Sequence, residues 1–167
     1  SLSSHHRKIE LNQQIDQDPL INAEVNRQLQ RLSAEFSKKG QQLHRVIGYT
    51  QHLLEGEEPA LRGRETALGN FLADAARERM QTDIALINAG SIRINDNIPP
   101  GPVTVYDLEG IFYYDNHLVS FELTGQQILD MLNNAVSKSH LGDGRFLQVS
   151  GLRFSYHAQA SSDGYLY

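Results

Sequence analysis

The 167-residue chain contains no cysteine. That removes disulfide frameworks and thiolate chemistry, and it is compatible both with the cytosol and with an exported bacterial protein. Long apolar runs are missing too. No stretch approaches the roughly 20 apolar residues that cross a bilayer, so no membrane span is expected. The opening "SLSSHHRK" lacks the apolar core of a signal peptide and reads as a tag remnant, with His5 and His6 belonging to a solvated tail. An excess of positive charge is absent as well: 15 Lys and Arg stand against 20 Asp and Glu, a formal charge of -5. This gives no general attraction to nucleic acid, so no polynucleotide partner is expected, while a small anionic ligand stays open. The familiar catalytic signatures are also missing. There is no G-x-S-x-G elbow, no Walker loop, no dinucleotide-binding glycine fingerprint and no H-E-x-x-H. His44, His52, His117, His140 and His157 are scattered without metal spacing, so no metal site is expected in this chain.

What is present is a globular composition, 40% hydrophobic and 21% charged, in a chain long enough to bury a core. "DPLINAEVNRQLQRLSAEFSKKG" carries start and stop signals of a helix. Asp18 caps it, Pro19 fits the first turn, and Lys38, Lys39 and Gly40 mark its end. Ile21, Val25, Leu29, Leu32 and Phe36 form a narrow apolar stripe that suits a neighbour, either as an ordinary amphipathic helix or as a linker between domains. "LHRVIGYTQHLL" reads as a strand, broken by "EGEEP". A second helix begins after Thr66, with Leu68, Phe71, Leu72, Ala75, Ala76 and Met80 on its apolar face. Gly69 inside it costs about 1 kcal/mol against alanine unless close packing or a ligand needs the space.

The apolar run "DIALI" reads as a buried strand that turns sharply at "NAGSIR". "NDNIPPGP" is a loop, "VTVYDLEGIF" a short strand leading into a short helix, and "HLVSFELTG" a half-buried strand with Val119, Phe121 and Leu123 on one side. Thr124 and Gln127 make a capping box for a helix whose stripe is Ile128, Leu132 and Val136. "RFLQVSGLRFSYH" reads as a strand pair or bulged strand. Interleaved strands and helices give an α+β (mixed α/β) class, a mixed β-sheet packed by helices.

Three arginines stand out. Arg62 and Arg64 precede the Leu68 helix and Arg93 follows the "NAGS" corner. Their planar forks suit phosphate or carboxylate, although surface ion pairs with Glu65 or Glu109 would use them as well. Small residues at the corner, Gly90 above all, allow close backbone approach, and Asn88 can donate and accept there. In "FYYDNH", Tyr113, Tyr114 and Asn116 could hold a flat heteroaromatic ligand by stacking and amide bonds, or could simply pack.

In order, "RGRETALGNFLADA", "INAGSIR", "LTGQQI" and "FLQVSGLRF" resemble the R-x-R-E-x-x-x-G-N-x-x-x-D-A, N-x-G-x-I-R, L-T-G and Q-x-S-G segments of the 5'-nucleotidase family's C-terminal domain. The family also includes UDP-sugar hydrolases, and the likeness covers roughly residues 42–157. It implies a tail over residues 1–17, an interdomain linker helix over 18–41 and the C-terminal domain over 42–167. It further implies a nucleotide or nucleoside substrate, bound by Arg62, Arg64, Asn88, Gly90, Arg93, Tyr114 and Asn116. Catalysis is implied to lie in an N-terminal metallophosphoesterase domain holding two divalent metal ions, so that this chain has no catalytic residue or cofactor of its own and is inactive alone. The location implied is periplasmic or extracellular. Two departures bear on specificity. Tyr113, Tyr114, Asp115 and Asn116 stand where most members have Pro-Phe-x-N, and the late aromatic segment G-G-D-G-F/Y is matched only superficially by "SSDGYLY". A hydrolase for UDP-sugars or cyclic nucleotides, or a non-catalytic interaction module, are the alternatives.

Overall fold

The computed structural model describes residues 8 and 15–156. They fall into two units divided between Leu43 and His44. In the first, helix α1 spans Pro19–Lys38. Asp18 Oδ1 accepts from the amides of Leu20 and Ile21 at 2.8 and 3.1 Å, so the expected cap forms, with Pro19 beginning the helix. Gly40 takes φ +74° beyond the other end, a conformation that favours glycine. No residue of α1 is buried, and Ile21 and Val25 keep their apolar surface exposed. The expected tail lies largely outside the described residues, His5 and His6 included, as does "SSDGYLY".

The second unit is α+β, as the sequence implies, but its described strands pair as two small antiparallel sheets rather than the expected single mixed sheet. Strand β1, Val46–Thr50, pairs with β3, Gly101–Thr104, and β2, Ala85–Asn88, pairs with β4, Leu147–Ser150. Helix α2 spans Glu58–Leu61, α3 Ala67–Met80, α4 Val105–Ile111 and α5 Gly125–Val136. The "NAGS" corner is a turn of 3-10 helix, Ala89–Ser91, directly after β2, so the sharp turn is there. β2 itself is half-buried rather than fully buried.

The core of this unit gathers Leu61, Leu68, Leu72, Ala89, Ile92, Ile98, Ile111, Val136 and Phe146, drawn from the helices, the corner and the loops beside the strands. Its members place α2, α3, the corner and the end of α4 around one apolar centre. Caps set the helix starts. Thr66 Oγ1 accepts from Gly69 N, and the Thr124–Gln127 box closes in both directions. Thr104 and Asp107 form a second box that starts α4.

Three further expectations are corrected. Residues 117–123 form no regular strand, and Val119 and Phe121 are 74% and 64% exposed. Alternation marks a strand only where another backbone completes the ladder; no described residue does so here. Among the described residues of "RFLQVSGLRFSYH" only Leu147–Ser150 are strand, because Gly151 turns the chain at φ +79°. The buried face of α3 is Leu68, Gly69, Leu72 and Ala73, while Phe71 is exposed, so the helix is rotated from the expected phase.

Candidate functional site

The rotation of α3 follows from one buried amide. Gln148 on β4 is 1% exposed; its Nε2 donates to the carbonyls of Leu61 and Arg64 at 2.8 and 2.7 Å, and its Oε1 accepts from Thr66 N at 3.3 Å. Both faces of the amide are thereby spent on the backbone of the "RGRE" loop. The helix must come close for this, and a Cβ at position 69 would stand 2.1 Å from Gln148 Oε1. Close packing therefore explains the mid-helix glycine. One turn further along, Ser150 Oγ donates to Asp74 Oδ1 and accepts from Arg77 Nε at 2.7 Å, tying α3 to β4 again. Four residues of the recognised motifs, Gly69, Asp74, Gln148 and Ser150, are thus scaffolding for the loop that carries Arg62 and Arg64.

The loop before α2 and the loop after the corner run side by side. Leu54 and Ile98 exchange backbone hydrogen bonds at 2.9 and 3.0 Å. Gly56 N donates to Asn97 Oδ1 and Glu58 N to Asn95 Oδ1, each at 3.1 Å. Asn95 has φ 45°, and a Cβ at Gly56 would lie 2.3 Å from the Asp96 carbonyl, so the seam admits little else at these positions. Arg93 N donates to Ile111 O at 3.0 Å, which roots the Phe112–Asn116 segment beside the corner. On the other side Gly90 N donates to Gly144 O at 2.8 Å, and a Cβ on Gly144 would reach Gly90 Cα at 2.9 Å.

Of the expected site residues, Arg62 and Arg93 are brought to a common group. Glu58 Oε1 lies 2.5 Å from Arg62 Nη2 and 3.8 Å from Arg93 Nη1. Arg62 Nη1 also donates to Gly142 O at 3.2 Å, and Arg62 Nε is buried without a hydrogen-bond partner among the described residues. Arg93 Nη1 reaches Gly90 O at 3.4 Å. Asn88 is exposed at the end of β2, next to the corner. Arg64 has a different carboxylate partner: its guanidinium pairs with Glu55 at 2.5 Å rather than with Glu58. The Arg64 guanidinium holds the Glu55 carboxyl below the ordinary glutamate range, and Glu55 in turn raises Arg64. Tyr113 and Tyr114 meet edge to face at 5.0 Å, 74% and 59% exposed, and Asn116 Nδ2 donates to Tyr114 O at 3.1 Å.

Glu55 and Glu58 are functional candidates that sequence reasoning missed. The spacing of Glu58 four residues before Arg62, the C-cap of the same short helix, was the available signal. Chemically the junction offers two guanidinium forks from separate segments on a rigid, glycine-tight corner, an arrangement suited to an oxyanion. Among the described residues no three His, Cys, Asp or Glu side chains gather as metal ligands, so no step through a metal is derived for this chain. No helix among them is long and apolar enough to cross a membrane.

Residues 46–165 match the model of the 5'-nucleotidase C-terminal domain. The trifunctional nucleotide phosphoesterase protein YfkN of Bacillus subtilis is 32% identical over 146 residues, covering 85% of this chain and 10% of that protein. A 5'-nucleotidase of Vibrio parahaemolyticus is 33% identical over 118 residues, 70% of this chain and 20% of the relative. The chain therefore spans between a tenth and a fifth of these curated relatives. The crystal structure of a 5'-nucleotidase precursor from Thermus thermophilus superposes with a TM-score of 0.61 at 42% identity, covering 65% of this chain and 22% of that one. With its ordered motifs, its α+β fold and a family match over residues 46–165, the chain belongs to the 5'-nucleotidase C-terminal domain family.

Proposed function

We propose that this chain is the nucleotide-binding, substrate-specificity domain of a metal-dependent 5'-nucleotidase. Hydrolysis of the phosphate ester of a nucleoside monophosphate belongs, on this reading, to an N-terminal metallophosphoesterase domain with two divalent metals. The observation that carries the proposal is the meeting of Arg62 and Arg93, 31 positions apart in the chain, on one carboxylate beside the Gly90 corner. A phosphate is the natural guest of such a junction. Arg93, the more accessible of the pair, meets it first; Gly90 and Asn88 supply close backbone and an amide, and Arg64 joins on release from Glu55. Tyr114 stacks on the base and Asn116 bonds its edge, both on a segment rooted at Ile111 beside Arg93. The protein acts in the periplasm or outside the cell.

Calorimetric titration of the chain with adenosine 5'-monophosphate tests the reading. The wild type binds, and Arg93→Ala binds at least tenfold more weakly, the loss expected for a charge-assisted contact. Equal affinity in the two would sink it. The exposed Tyr113–Tyr114 pair favours a second reading, in which the same site serves a nucleotide whose phosphate is further esterified, to a sugar as in a UDP-sugar or back to its own ribose as in a cyclic nucleotide. Tighter binding of UDP-glucose than of the monophosphate would select it.

A further inference from the structure

Glu58 stands where a ligand's anionic group would have to go. Among the described residues its carboxylate oxygen Oε1 is shared between the two guanidiniums, closely at Arg62 and loosely at Arg93. The residue is held there by its backbone as well as its side chain. The seam between residues 54–58 and 95–98, with Glu58 N on Asn95 Oδ1, fixes the start of α2 against the loop that follows Arg93. The i, i+4 spacing from the first residue of α2 to its C-cap then brings Glu58 to Arg62. Two guanidiniums and one carboxylate leave the junction with a single net positive charge.

We propose that Glu58 is a built-in counter-anion of the site, which an incoming anionic ligand must displace from Arg93 and against whose charge it then binds. This rests on the reading that the Arg62–Arg93 corner receives the nucleotide's phosphate. Glu58 keeps Arg62, its short contact, while the ligand takes Arg93, the long one. The residual carboxylate repels the ligand, so Glu58 sets how much negative charge a ligand needs. A dianionic phosphate clears that threshold more easily than a monoanionic group, and an uncharged nucleoside is indifferent to it.

The test is calorimetric titration of the wild-type chain, Glu58→Gln and Arg93→Ala with adenosine 5'-monophosphate and, separately, with adenosine. Glutamine keeps an oxygen to accept from Arg62 and removes the charge. Glu58→Gln is expected to bind the monophosphate at least roughly fourfold more tightly, about fourfold being the gain for deleting one like charge about 5 Å away even at the dielectric of bulk water, with adenosine unchanged. Monophosphate affinity that is unchanged, as for an ordinary surface ion pair, or weakened, as for a residue that positions the arginines, would overturn the proposal. So would an equal gain for both ligands. Arg93→Ala separates this failure from a deeper one. A monophosphate lost with Arg93 but not gained in Glu58→Gln sinks the counter-anion alone; a monophosphate that binds Arg93→Ala like the wild type, or binds no variant, sinks the site reading with it.

Discussion

A methyl group at position 69 would stand 2.1 Å from the side-chain oxygen of Gln148. Gln148 cannot swing aside cheaply, because the same amide holds Leu61 O, Arg64 O and Thr66 N in a buried setting. Gly69→Ala is therefore expected to cost about 2 kcal/mol or more despite alanine's better helix propensity, read as a lower midpoint in urea. Gln148→Leu keeps the bulk but strands two carbonyls, each at roughly 1–3 kcal/mol. At Glu55 the chemistry is electrostatic. Arg64 depresses its carboxyl, so the pair contributes fully above the ordinary glutamate value of 4.5 and is lost as pH falls through the lowered one. Carbon-detected titration should show Glu55 ionising below the ordinary glutamate value, and Arg64→Met should return it toward that value. The arginines were legible at this scale, since Arg62 and Arg93 sit in recognisable motifs. Their partners were less so: Glu58 needed only the helical spacing to Arg62, but Glu55 meets Arg64 through a turn whose path no spacing rule gives.

Capping decides the elements that frame the corner. α4 has seven residues, too few to be stable alone, and starts on the Thr104–Asp107 box. It ends at Ile111, whose carbonyl receives the Arg93 amide. Thr104→Ala should therefore cost about 1 kcal/mol and also speed hydrogen exchange at Arg93 N, a remote effect that a purely local cap would not produce. Helix starts were readable in the sequence at Asp18, Thr66 and Thr124, where the cap is a side chain three residues from its target, whereas the like cap at Thr104 was not read. Strand ends were not. "HLVSFELTG" alternates as well as any strand here, yet lies outside both sheets, because a ladder is a property of two segments and the pattern reports only one. The phase of α3 was misread for a related reason: Gly69 counts as apolar-neutral in a periodicity, while its lack of a side chain is what turns that face toward β4.

Across the whole molecule, motifs that look alike as binding signatures divide into two jobs. Gly69, Asp74, Gln148 and Ser150 clamp α3 to β4 and so fix the "RGRE" loop; Arg62 and Arg93, with Gly90 behind them, face the junction at Glu58. On the proposed function the chain alone should release no phosphate from adenosine 5'-monophosphate with or without added divalent metal. A longer protein that joins it to a metallophosphoesterase domain should do so until a chelator is added, as a colorimetric phosphate assay would report. The central claim is that the phosphate seats on Arg93 beside the Gly90 corner, while Glu58 keeps Arg62. An amide chemical-shift titration of the isotope-labelled chain with adenosine 5'-monophosphate tests it most directly. Shifts at Gly90, Ser91 and Arg93, accompanied by Tyr114 and Asn116, are the predicted result; saturating shifts confined to other surfaces, with the corner silent, would contradict it.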